Sequence, residues 1–99
     1  MSIKIKATWM TDSGHSWLKV NKNELIDLGI DSKISSYSYK YQDFVYLEED
    51  CDAEIYFKAK FKNDEWWLIE EFKSIARKIP FKIYKKEAIC RKYPSYSRG

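Results

Sequence analysis

Three groups of side chains in this 99-residue sequence could do chemistry. They are the single histidine, His15; the two cysteines, Cys51 and Cys90; and an acidic run in which Glu48, Glu49, Asp50, Asp52 and Glu54 fall within seven residues. His15 sits in a loop, after Asp12-Ser13-Gly14, where it could hydrogen-bond, titrate or ligate a metal. A lone loop histidine without a spaced partner is more often a donor that steadies its own turn. Cysteine–histidine catalysis requires Cys51 or Cys90 to meet His15 in space, and no spacing points to that. Cys51 lies among acids, whose charge raises a thiol pKa and blunts its nucleophilicity. The acids could bind a hard cation through oxygen. They lack the glycine and the spaced final glutamate of an EF-hand loop. The same residues also suit a strand end that runs into a helix N-terminus, where carboxylates complement unpaired amides. Glycine occurs only at 14, 29 and 99, so no Gly-rich phosphate loop can form. The expectation is a non-enzymatic protein with no metal and no cofactor.

Charge and aromaticity are distributed unevenly. Residues 1–72 carry nine lysines and fourteen acids, whereas residues 73–99 carry nine Lys/Arg and one acid, Glu87. The net charge of +3 therefore conceals an acidic front and a basic end. Such a chain can pair its ends internally or show partners two faces of opposite sign. Aromatic residues make up 17% of the chain, more than a small core needs, which hints at a binding face. No apolar run approaches the ~18 residues of a membrane helix, and the opening Ile3-Lys4-Ile5-Lys6 is not that of a signal peptide. Two cysteines are too few for a disulfide scaffold, and a reducing cytoplasm is expected.

The elements that must position these groups can be read from periodicity. Ile3, Ile5, Ala7 and Trp9 alternate with polar residues as in a half-buried strand, and residues 16–20 form a second. Asn21 with Glu24 predicts a capping box opening a short helix that Gly29 closes. Residues 35–41 predict a strand with Tyr37, Tyr39 and Tyr41 on one face. Gln42-Asp43 turns it into Phe44–Glu48, which gives a hairpin with aromatic cross-strand pairs. Residues 53–62 fit both an alternating strand and a helix with Ala53, Phe57 and Phe61 on one face, and we read helix. Leu68, Phe72, Ile75 and Ile79 predict a third helix over 65–79, ended by Pro80. Residues 81–84 follow as an edge strand, and the tail from residue 93 is expected to be mobile unless docked. The fold class is α+β: one domain over residues 1–99, with a small antiparallel sheet of four to five strands and two to three helices on one side.

His15-Ser16-Trp17-Leu18-Lys19-Val20, Leu28-Gly29-Ile30, residues 33–39 (KISSYSY), residues 45–53 (VYLEEDCDA) and the closing Ile89, Arg91, Tyr93, Pro94 and Tyr96 form a combined pattern. It resembles a family of small proteins carried on bacteriophages, plasmids and genomic islands. Ser16 and Asn21 depart from the glycine and proline usual there, and the segment around 64–86, with Trp66 and Trp67, resembles an insertion. The resemblance brings no catalytic residues. It implies an accessory gene of a mobile element acting in a bacterial cytoplasm, where such proteins often disable a host defence component.

Two functions follow as expectations. In the first, the chain binds and inhibits a bacterial defence protein or complex, as anti-CRISPR and anti-restriction proteins do. Its contacts are then Tyr37, Tyr39, Tyr41, Glu48, Glu49, Asp50, Asp52 and the exposed member of the Trp66–Trp67 pair, assigned to Trp66. In the second, Lys73, Arg77, Lys82, Lys85, Lys86, Arg91 and Lys92, interleaved with aromatics, grip nucleic acid. A third reading, ligand sensing through His15, Cys51 and the neighbouring acids, stands behind both. The chain is expected to be a monomer, or a homodimer formed through its tyrosine row.

Overall fold

The computed structural model describes residues 3–97. Five strands form one mixed sheet: β1 (Thr8–Thr11), β2 (Ser16–Asn21), β3 (Tyr39–Tyr41), β4 (Phe44–Glu48) and β5 (Phe81–Ile83), in the order β3-β4-β2-β1-β5. Three pairings are antiparallel; β5 runs parallel to β1, because α2 and α3 intervene and carry the chain over before it returns. The helices are α1 (Lys22–Asp27), α2 (Asp52–Phe61) and α3 (Glu70–Ala76). No helix among the described residues is long and apolar enough to cross a membrane.

Strand alternation sends Leu18, Val20, Val45 and Leu47 to one face, where Leu25, Ala53, Tyr56, Phe57 and Phe61 of the helices cover them. The opposite face carries Met10, Trp17 and Tyr46 and is covered by the segment from Tyr84 to Tyr93, with Ala88 and Cys90 buried. Burial pushes the Cys90 thiol up to about 12.

Residues 52–61 are helical, as read. Helical spacing buries Tyr56 completely, which strand alternation would have sent outward. Asn21 caps α1 by accepting the Asn23 amide at 2.8 Å, but Glu24 does not close the capping box. Its carboxylate instead takes the Tyr56 hydroxyl at 2.9 Å and the Lys60 ammonium, tying α1 to α2. Gly29 adopts φ +72°, the left-handed conformation its place after α1 requires.

Three expectations are corrected. The first strand begins at Thr8; residues 3–7 leave the sheet and lay Ile5 near Ile75 and Ile79. The third strand is only Tyr39–Tyr41, because Asp52 draws Ser35 and Ser38 into a turn. The single helix over 65–79 is a 3-10 turn, Trp66–Leu68, and then α3. An extended Ile69 separates them, so Trp66 folds between Phe57 and Phe72, 5.2 and 4.9 Å away, and Leu68 is exposed. The tail docks as far as it is described. Tyr96 is buried, Tyr93 stacks on Tyr41 at 4.3 Å, and Ser95 bridges to Tyr39. Residues 98–99 lie outside the described residues.

Candidate functional site

On the face away from the helices, four chain segments meet around a cleft of about 390 Å³. Trp17 of β2, Tyr39 of β3 and Glu48 of β4 come from the sheet; His15, Tyr37, Asp50 and Cys51 come from loops, and Arg91 from a 3-10 turn, Ile89–Lys92. Two buried carboxylates hold those loops in place.

Asp12 is the first. Its Oδ1 accepts the amides of Gly14 and His15 at 2.9 and 3.0 Å, which sets the turn that carries His15. Its Oδ2 accepts the Ala88 amide at 2.9 Å and Arg91 Nε at 2.6 Å, and Arg91 Nη2 reaches Oδ1 at 3.0 Å. Such a bidentate pair fixes orientation as well as charge. It anchors the C-terminal segment across the sheet and lays the guanidinium over the Trp17 ring, 4.7 Å from its centroid. A Cβ at Gly14 would come within 3.0 Å of Arg91 Nη2, so the clasp also explains that glycine. The Arg91 hydrogen bonds, helped by the three amides, hold the Asp12 carboxyl far below the usual range despite its burial.

Asp52 is the second. It accepts the Ser35 amide and hydroxyl, at 3.1 and 2.7 Å, and the Ser38 hydroxyl. Ser38 Oγ in turn accepts the Glu48 amide at 2.9 Å. This binds the Ser35–Ser38 turn to β4 and the start of α2, and Tyr37 projects from it with 72% of its surface exposed.

The rim of the cleft is acidic. His15 Nδ1 lies 3.8 Å from Glu48 Oε1, and Glu48 also accepts the Asp50 amide at 3.0 Å. Donor atoms of His15, Glu48, Glu49 and Asp50 all lie within 4.8 Å of one another. One imidazole with three carboxylates is a donor set that could hold a divalent cation. Glu49 and Asp50 have no cationic side chain against them among the described residues. Cys51 lines the same cleft as His15, a meeting that their separation in sequence did not suggest. Desolvation and the carboxylates of Glu48, Asp52 and Asp50 raise its thiol pKa, which blunts it as a nucleophile.

The expected contact residues separate into distinct environments. Tyr37, Tyr39, Glu48 and Asp50 line the cleft and Glu49 stands beside them. Tyr41 does not reach it and is stacked under Tyr93, so the tyrosine row is split and partly covered. Asp52 is 1% exposed and fully engaged, which corrects its assignment as a contact residue. Trp66 is half-buried among Phe57 and Phe72; Trp67 is the exposed tryptophan of the pair. Of the basic set, Arg91 is spent on Asp12 and Trp17, and Lys73 pairs with Glu70 at 3.2 Å. Arg77, Lys82, Lys85, Lys86 and Lys92 are exposed. Asp12, Trp17 and the two serines escaped the sequence reading. Asp12-Ser13-Gly14 carried a turn signal, but nothing local ties Asp12 to a residue 79 positions away. The Trp17 indole N–H is the one buried side-chain polar atom without a hydrogen-bond partner among the described residues.

No protein-family model matches the chain, and neither a curated protein nor a solved structure does so.

Proposed function

We propose that the protein is a non-enzymatic accessory protein of a mobile element that acts in the bacterial cytoplasm. It binds a component of a defence complex and inhibits it by occupying its surface, in the manner of anti-CRISPR and anti-restriction proteins. The observation that carries this reading is the cleft rim: an exposed tyrosine beside carboxylates that have no cationic side chain against them, all on loops clamped from beneath. Rigid aromatic anchors next to uncommitted charge are what interface hot spots are made of, and clamping reduces the ordering cost of binding. The fitting partner surface is basic, such as the nucleic-acid-binding groove of a defence nuclease. The mobile-element resemblance supplies the setting.

The test is phage challenge of cells with an active CRISPR or restriction system, together with co-purification of that system's components on the tagged protein. Restored phage plating with a co-purifying defence component is the expected result. Unchanged immunity against every system tried, with no such component recovered, would sink the reading.

A second reading rests on the exposed cations Arg77, Lys82, Lys85, Lys86 and Lys92. If they grip nucleic acid, a short single-stranded or duplex probe is retarded at low salt and released steeply as salt rises.

A further inference from the structure

The two edges of the sheet are treated differently. At the β3 edge the chain closes over itself: Tyr39 bridges to Ser95, the Lys40 amide donates to Pro94 O at 2.8 Å, and the Tyr96 amide donates to Ser38 O at 2.8 Å. At the other end, β5 has β1 on one side and, among the described residues, no strand on the other. Pro80 O accepts the Trp9 amide and the Tyr84 amide donates to Thr11 O, both at 2.8 Å, which marks the side of β5 that faces β1. In a parallel ladder alternate residues face the partner, so the Lys82 main chain also turns to β1 and those of Phe81 and Ile83 turn outward. Phe81 and Ile83 are 64% and 76% exposed on one face. Lys82 lies on the other face, with its ammonium 5.5 Å from the Tyr84 ring. Lys78, Lys85 and Lys86, just before and after β5, are exposed as well.

We propose that this edge receives an extended, acidic segment of a partner protein as a sixth strand. Apolar side chains of that segment lie over Phe81 and Ile83, and a carboxylate stands opposite Lys82. Main-chain pairing supplies affinity in such strand addition, and alternate side chains supply selectivity. Charge decides the occupant. A second copy pairing through the same edge about a two-fold axis would set Lys82 opposite Lys82 of its mate, and like charges directly opposed are destabilising. The same lysine thus discourages self-association while favouring an acidic strand. Nucleic acid is a poorer fit, because it leaves the outward amides and the Ile83 side chain without partners. The edge lies apart from the cleft, so this proposal and the cleft reading stand or fall separately.

The probe is a fluorescein-labelled, end-capped peptide of alternating valine and glutamate, followed by anisotropy, with a valine–lysine peptide as control. Saturable binding of the glutamate peptide alone is expected. Lys82→Glu should weaken it about tenfold and admit the lysine peptide. Ile83→Pro removes an outward amide together with the exposed Ile83 side chain, leaves the main-chain groups that face β1 in place, and should also cost about tenfold with the thermal midpoint near wild type. No binding up to about 1 mM peptide, or binding that both variants leave unchanged, overturns the proposal. So does a wild-type dimer in sedimentation that Ile83→Pro abolishes. A single-stranded DNA probe that displaces the peptide and is itself indifferent to Ile83→Pro assigns the edge to nucleic acid and overturns it too.

Discussion

The floor and the rim of the cleft are both rich in carboxylates, yet the two sets have opposite fates. Beneath, Asp12 and Asp52 are buried, and each accepts hydrogen bonds from several donors across long stretches of sequence. Above, Asp50 is exposed and Glu49 half-buried, neither with a cationic side chain against it among the described residues, and Glu48 lies against His15. Asp50 and Asp52 are two residues apart, and one is exposed while the other is 1% exposed. A carboxylate in the floor contributes to stability; a carboxylate on the rim is free to meet a partner. The same residue type does different work because burial turns an unpaired charge from harmless to costly.

That contrast predicts a graded set of responses. Asp12→Ala should cost the most, about 3–5 kcal/mol, because it leaves Arg91 and three amides without their acceptor at a mostly buried site; urea denaturation checks it. The same group sets an acid limit. Its folded-state pKa lies below the unfolded value of 3.8, so its stabilisation is complete above that pH and is lost as pH falls below it. The urea midpoint of the wild type should therefore fall between neutral pH and about pH 3, and Asp12→Asn should show a flatter profile. Asp52→Ala comes next, at about 2–3 kcal/mol, for the serine donors left unpaired. Faster hydrogen exchange confined to the Ser35–Ser38 turn would accompany it. The double change Glu49→Lys/Asp50→Lys should move stability by only about 0.5 kcal/mol, as for ordinary surface sites. A rim variant that unfolds the protein as Asp12→Ala does would erase the distinction.

Much of this architecture is legible in the residues themselves. The period of Ala53, Phe57 and Phe61 marks α2, Gly29 marks a helix end, and the Gln42-Asp43 connection sets Tyr39 against Tyr46 and Tyr41 against Phe44. What escapes is decided by partners far away in sequence. Local spacing places Leu68 on a helix face, but the packing of Trp66 between Phe57 and Phe72 breaks that helix and leaves Leu68 exposed. The alternation of Tyr37, Tyr39 and Tyr41 is real in the sequence, but Asp52 pulls Ser35 and Ser38 into a turn and removes Tyr37 from the strand. At the site, the acidic run and two of the tyrosines could be named in advance. The third reading also grouped His15 and Cys51 with the acids, but their meeting with Arg91 could not be named, because it depends on Asp12 reaching across the fold.

The most direct test compares phage plating, on cells whose defence system the wild-type protein inhibits, between wild type and Glu49→Lys/Asp50→Lys at matched expression and thermal midpoint. Loss of inhibition in the rim variant, with binding to the purified defence component weakened about thirtyfold, is the predicted result. Full inhibition by a correctly folded rim variant would contradict it.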